Sequence, residues 1–480
     1  MLISGERTWA QGGRELTLED CIDLANEQSP ESKIALKAFE SVHWSYMSYR
    51  AGLKPQVSLD LFTPGLQRTI QQNLGDNGEL NFIQQNTGFS SGNLRVSQLI
   101  APTGGTVSLS SGLQRIDQFG PNGYVSYTTA PLLLGLQQPL FAFNQQKWEK
   151  KIQPLQYKRA EKSYLEAREQ IAVDISGKYF DVYIAQISLD NALSNQRVND
   201  SIFTISKGRY NVGKIAENDL LQTELAALNA KSEVNSARLS LEKAKTELAI
   251  SLGLPNSGEL SVRAPADVPE VMVDAEFALS QARSNRSEMI DFDVRGLQAE
   301  SSVNQAKASN RFNANLNAEF GLNGSAATLP GAYSGLLDRQ VANLSIGIPI
   351  LQWGRGKAAV ESALVERERV NEQIKLEKRR LERDIRFQVL DFLQLQEQVS
   401  LALKADQIAA RRFNVAKNRY LIGKIDITNL QIAQNEKDSA RQSYISRLRQ
   451  FWTAYYQLRR STLYDFIADQ PLEAPDLDMR

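Results

Sequence analysis

The chain has 480 residues, with 55 Lys plus Arg set against 55 Asp plus Glu, so its formal net charge is zero. That balance argues against a nucleic-acid binder, whose affinity rests on excess positive charge. One cysteine, Cys21, and one histidine, His43, leave no disulfide framework and no Cys/His metal cluster.

Further classes drop out on inspection of the chain. No nucleophile–base arrangement is recognisable, so neither an enzyme nor a cofactor is expected. No run approaches the ~18 apolar residues of a transmembrane helix. The opening residues 1–13 lack a charged region followed by an apolar core, so they do not read as a complete signal peptide. Residues 1–15 are set apart as an N-terminal segment, with Trp9-Ala10-Gln11 a possible signal remnant.

From there the first half reads in order. A helix over residues 17–51, with Thr17 as N-cap and a break near Pro30, is closed by Gly52 and Pro55. Val57-Ser58-Leu59-Asp60-Leu61 then alternates with period two, the mark of a strand with one wet face (about 56–62). A returning strand follows at about 131–141. Next come a long helix over 145–212, a tight turn at Gly213 and a return helix over 217–251. A proline-bearing segment, 255–273, is expected to be a non-core linker or equatorial belt.

The second half repeats this order. Glu19, Glu31, Ala51 and Leu59 match Glu276, Glu288, Ala308 and Leu316, each 257 positions later. Pro139-Leu140-Phe141 matches Pro349-Ile350-Leu351, and Arg209-Tyr210 matches Arg419-Tyr420, both 210 positions later. The chain is therefore a tandem duplication. The fall from 257 to 210 means that the first half carries 47 extra residues between about Phe62 and Pro131. Within them, Leu94–Ile100 and Thr106–Ser110 alternate around a Pro102–Gly105 hairpin turn. The extra length is expected either to add a hairpin to the sheet or to fold over its mouth. The second repeat, 274–464, is predicted to hold helices at 274–308, strands at about 312–322 and 341–351, a long helix at 355–422 and a return helix at 426–464. A tail, 465–480, closes the chain. The first repeat spans 16–254.

The long helices are the strongest signal. Each would run roughly 100 Å at 1.5 Å per residue. Their apolar residues recur every seven: Ile175, Val182, Leu189, Phe203, Tyr210, and Ile385, Phe392, Val399, Phe413, Tyr420, interrupted at Gln196 and Asp406. Such a repeat means supercoiled helices packed side by side. Ala402, Ala409 and Ala416 add a small-residue stripe.

Four amphipathic strands cannot close a barrel alone, and an open edge is not viable in a membrane. Three copies would supply twelve strands, within the range of closed outer-membrane barrels. The predicted fold class is therefore mainly α with β: an antiparallel α-helical coiled-coil barrel plus a transmembrane β-barrel, formed by a trimer with four main strands per protomer.

The entry Leu16-Thr17-Leu18-Glu19-Asp20, the helix end Ala51-Gly52-Leu53-Lys54-Pro55, the strand exit Gln138-Pro139-Leu140-Phe141 and the two Tyr-x-x-Gly turns together resemble the TolC family of outer-membrane factors. The likeness spans about residues 16–464. It implies a homotrimer in the outer membrane of a Gram-negative bacterium, contacting membrane lipid and extending into the periplasm. There the family meets a periplasmic adaptor and an inner-membrane pump or ABC transporter, and exports small molecules or proteins without chemistry of its own. The rival reading is a pore-less periplasmic adaptor or coiled-coil scaffold, which leaves the paired alternating strands unexplained.

By the same resemblance, the periplasmic aperture and adaptor-docking tips hold Arg209, Tyr210, Val212, Gly213, Lys214, Asp219, Arg419, Tyr420, Gly423, Lys424, Asp426 and Asn429. Tyr420 stands at the family's gating tyrosine and Asp219 at an aspartate on the neighbouring return helix. Tyr210 and Tyr420 also fit plain packing, and Asp219 a helix cap. The chain departs from the family pattern where an arginine is replaced by Ile425 and two acidic positions by Asn429 and Ile432. Asp426 remains a candidate acid there, and a looser set of contacts would close this gate. Elsewhere, Trp353–Lys357 reads as a strand-to-helix junction and Lys375–Arg386 as a solvated helix face.

Overall fold

The computed structural model describes residues 15–74, 79–120, 123–255, 260–263 and 268–473; the segment with the possible signal remnant and the end of the tail lie outside them. A short strand β1 (Glu15–Leu16) precedes α1 (Leu18–Gln28) and α2 (Pro30–Gly52). Strands β2 (Gln56–Leu74), β3 (Leu80–Ile100), β4 (Gly105–Phe119) and β5 (Tyr124–Leu140) follow. Then come α3 (Gln145–Asn211), α4 (Glu217–Ser251) and the short β6 (Ser261–Val262). The second repeat holds α5 (Ala275–Asn285), α6 (Ser287–Ser309), β7 (Asn313–Ala326), the single turn α7 (Leu329–Ala332), β8 (Leu337–Gly347), α8 (Arg355–Leu421) and α9 (Ile427–Thr462). Two-residue strands β9 (Tyr464–Asp465) and β10 (Gln470–Pro471) end it.

The duplication is visible element by element. Helices α1 and α5 have 11 residues each, α2 and α6 have 23 each, and α3 and α8 have 67 each. Thr17 caps α1 in a reciprocal box, its hydroxyl accepting from the Asp20 amide at 3.1 Å while the Asp20 carboxylate accepts from the Thr17 amide at 3.1 Å. The break before α2 falls at Ser29, held extended ahead of Pro30. Ser29 then caps α2, accepting from the Ser32 amide at 3.0 Å.

The chain divides into two compact units. The helical unit, comprising the chain up to Ser41, Lys158–Met289 and the chain from Leu376, has one continuous core. Cys21, Tyr179, Phe180, Leu248, Leu279, Phe392, Phe451 and Leu458 are fully or almost fully buried in it. Heptad positions Ile175 and Val182, with Ile385, Phe392 and Val399, belong to this core. Burial pushes the Cys21 thiol up to about 12, aided by the Asp20 charge.

Of the two readings of 255–273, a non-core linker or an equatorial belt, the described residues speak against the first alone. Leu260, Val262, Val271 and Val273 are buried in the same core. Backbone pairing explains it: β6 lies parallel to β1, and the Gln186 side chain bridges both backbone groups of Val262 at 3.0 and 3.2 Å. Alternate residues of an extended segment that is hydrogen-bonded in this way point inward. The start of the tail is likewise held. Asp465 accepts from the Tyr455 hydroxyl at 2.5 Å and pairs with Arg459 at 3.1 Å, while Arg459 also reaches Glu169 at 3.0 Å.

The strand unit comprises Val42–Tyr157 and Ile290–Lys375. Its antiparallel sheet runs β2-β3-β4-β5-β7-β8. The four main strands of the sequence reading are β2, β5, β7 and β8; β3 and β4 come from the 47-residue excess and lie between β2 and β5, giving six. Period-two alternation in a segment bounded by turn residues suits pairing on both sides, and each inserted strand has two neighbours.

Register makes the sheet two-faced. One cross-strand row reads Val57, Val96, Leu109, Leu134 and Phe320; others join Leu59 to Leu94 and Val107 to Leu136 and Ala318. Leu316 pairs with Leu344 and Ala314 with Ile346. The interleaved rows carry Ser58, Arg95 and Ser110, and then Ser97, Ser108, Gly135 and Glu319. Val57 is 67% exposed, Leu59 60% and Phe320 62%. An apolar face this bare marks a surface that meets something other than water. Among the described residues, no helix is long and apolar enough to cross a membrane.

Candidate aperture at the helical hairpin tips

Both helical hairpins turn in the same way, for a local reason. Gly213 and Gly423 take φ +74°, which suits glycine and ends each helix in the left-handed conformation. The Gly213 amide donates to the Tyr210 carbonyl at 2.8 Å and Lys214 to Arg209 at 2.9 Å. In the second hairpin, Gly423 donates to Tyr420 at 2.9 Å and Lys424 to Arg419 at 2.9 Å. These paired bonds close the last carbonyls of α3 and α8.

The return helices start differently. Asp426 caps α9, accepting from the Asn429 amide at 2.8 Å and from its side chain at 3.0 Å. The matching position in the first repeat is Ala216, which offers no side-chain cap. Asp219 is in the first turn of α4, where its charge complements the helix dipole.

The two halves of the tip are also asymmetric in burial. Tyr420 is buried in a small cluster with Ile202, Phe413, Ile427 and Leu430, whereas its counterpart Tyr210 is exposed. The Tyr420 hydroxyl lies 3.3 Å from that of Ser206 on α3. The Arg209 guanidinium sits 5.5 Å from the centre of the Tyr420 ring and donates to the Leu421 carbonyl at 3.3 Å. The structure thus brings Arg209 and Tyr420 together. Val212, Gly213, Lys214, Arg419, Gly423, Lys424, Asp426 and Asn429 are exposed around them.

Sequence reasoning missed several partners that lie further up the helices. Asp406, at a break in the heptad pattern, pairs with Arg441 at 2.9 Å. Asn195 donates to Asp438 at 2.7 Å, and Gln222 to Gln431 at 3.2 Å, joining the first hairpin to the second. Ser206 was findable. It stands three residues after Phe203, on a companion seam with Ala185, Ala192 and Asn199, and all four are buried.

Among the described residues, no group of His, Cys, Asp and Glu side chains is placed to hold a metal ion. The groups at the tips stack, as Arg209 does on Tyr420, and hydrogen-bond, as Tyr420 does with Ser206.

Solved structures share the architecture. A membrane protein from Pseudomonas aeruginosa aligns with a TM-score of 0.68 at 16% identity, covering 96% of this chain and 92% of that one. The CmeC outer membrane channel of Campylobacter jejuni aligns at 0.67 and 15%, covering 93% and 85%, and the outer membrane protein VceC of Vibrio cholerae at 0.66 and 14%, covering 93% and 95%. No curated protein sequence matches the chain. At these identities the likeness establishes the fold, a TolC-like channel-tunnel. The model of the outer membrane efflux protein family matches residues 104–254 and 278–462, well over half of the chain. By its own sequence, this chain belongs to the outer membrane efflux protein family, a family of transport channels.

Proposed function

We propose that three copies of this chain assemble into a sealed outer-membrane duct. It would receive small molecules or proteins from a periplasmic adaptor and an inner-membrane pump or ABC transporter, and release them outside a Gram-negative cell. The observation that carries this reading is the sheet. It has one predominantly apolar face, and among the described residues its edge strands, β2 and β8, each have a single neighbour. Unpaired edges are intolerable in hydrocarbon, so the sheet must close on further copies. A soluble adaptor or scaffold would have no use for so bare an apolar band.

The tips around Tyr210–Gly213 and Tyr420–Gly423 would form the aperture and seat the adaptor. With Ile425, Asn429 and Ile432 replacing charged positions, and with Asp426 engaged as a cap, closure would rest on Tyr420, Asp219 and Arg209. Single-channel recording in planar bilayers tests this. Wild-type trimers should give small, stable openings, and Asp219→Ala with Tyr420→Phe should raise conductance. A detergent-free monomer that conducts nothing would refute the duct; unchanged conductance in the double variant would refute only the gate.

A further inference from the structure

The inserted strands β3 and β4 are built like the rest of the sheet. They carry its apolar face, with Val96 beside Val57 and Leu109 beside Leu134, and its polar face, with Ser97 beside Ser108. The hairpin turn that joins them also lies at the end of the sheet where β2 begins and β5 ends. The turn between them, Ala101–Gly104, is tied to the helix junctions of the same unit. Asn144, just ahead of α3, donates to the Ala101 and Pro102 carbonyls at 3.0 Å each. Gln98 donates to the Leu53 carbonyl at 2.8 Å, and Thr103 and Gln138 exchange bonds at 2.9 and 3.2 Å. A lobe folded over an outer mouth would need neither the apolar rows nor these ties.

We infer that β3 and β4 are membrane wall, so that three copies close a barrel of eighteen strands rather than twelve. This rests on the trimeric duct proposed above. Parity allows it: an antiparallel sheet of six strands has oppositely directed edges, so β8 of one copy meets β2 of the next in antiparallel pairing. Taking about 4.8 Å between strands and a tilt of about 40°, eighteen strands enclose a backbone cylinder of about 36 Å, against about 24 Å for twelve. At that width side chains leave an aqueous channel. So wide an outer-membrane segment leaves selection of bulky cargo to the helical end or to the transporter.

Site-directed labelling tests this, in a Cys21→Ser background that removes the sole thiol. Val96→Cys and Leu109→Cys place a fluorophore on the apolar face of β3 and β4; Ser97→Cys and Ser108→Cys place it on the polar face; Leu59→Cys and Leu134→Cys serve as controls. Leu94→Cys and Val107→Cys duplicate the readout if a variant misassembles. In phosphatidylcholine vesicles with nitroxide-labelled acyl chains, positions 96 and 109 should lose as much fluorescence as positions 59 and 134. Positions 97 and 108 should lose none and should react with a charged thiol reagent. Quenching at 59 and 134 without quenching at 96 and 109 overturns the eighteen-stranded wall and leaves the duct standing. No quenching at 59 and 134 overturns the duct itself.

Discussion

The hydroxyl of Tyr420 lies 3.3 Å from that of Ser206, so the tip of the second helical hairpin is tied to the first within one chain. Arg209, above the tyrosine ring, reinforces the tie by donating to the Leu421 carbonyl. If the proposed gate is built on these contacts, it would open only by parting two hairpins that the same chain packs together.

Removing the hydroxyl should cost little and removing the ring a great deal. Tyr420→Phe forfeits one long hydrogen bond, about 1 kcal/mol. Tyr420→Ala empties a buried aromatic site among Ile202, Phe413 and Leu430, costing about 3–5 kcal/mol locally. Hydrogen exchange over residues 200–210 and 413–430 should accelerate slightly in the first and strongly in the second.

The missing cap of the first return helix offers a paired experiment. Asp426→Ala should loosen the start of α9 by about 1 kcal/mol, roughly fivefold in exchange rate at its first turn. Ala216→Asp should do the reverse for α4, because the backbone at Ala216 is already extended as a cap requires. Equal behaviour of the two variants would contradict the asymmetry between the repeats.

Cys21 should be inert in the folded protein. Its thiol is pushed up to about 12 by burial first and the Asp20 charge second, so it stays protonated at neutral pH. Iodoacetamide should label it only after denaturation. A group whose folded pKa is raised contributes stability below its unfolded value and loses it as pH climbs toward the folded one. Stability should therefore fall between about pH 9 and 12, and Cys21→Ala should weaken that fall.

Arg459 stands between Glu169 and Asp465 and beside Tyr455 and Tyr456. Burial opposes the Asp465 charge, but the Tyr455 hydrogen bond, two backbone amides and Arg459 outweigh it and hold this carboxyl below its usual range. A depressed carboxyl contributes stability above its unfolded pKa, lost as pH falls through the folded value. Asp465→Asn should flatten the acid limb of an unfolding titration. Arg459→Met should cost about 3–5 kcal/mol, because it leaves Glu169 buried without its cation.

Much of this fold was legible in the chain, because its signals are local and occur twice. Heptads at Ile175, Val182, Ile385 and Phe392 mark helix contact wherever they occur, and Gly213 and Gly423 mark turns by their conformational freedom alone. Strand pairing was less legible. Leu94–Ile100 and Thr106–Ser110 alternate as a wall strand does, yet alternation does not name the partner, and only register places β3 against β2. The burial of Val262 was hidden because a two-residue parallel pairing with β1 has no periodicity to reveal it. At the tips, the turn residues stand out by themselves, whereas Ser206, the partner of Tyr420, is readable only from the second seam of α3 through Ala185, Ala192 and Asn199, beside the more apolar stripe through Phe203.

Because α3 and α8 both have 67 residues, neither can change length alone. Each residue deleted from one would swing everything beyond it by about 100° and withdraw it by about 1.5 Å, turning an inward stripe outward. Insertions and deletions should thus survive only as matched events in both copies, in whole heptads that keep the stripe in phase. Lineages of this gene should vary freely in strand number while keeping the helical pair in step.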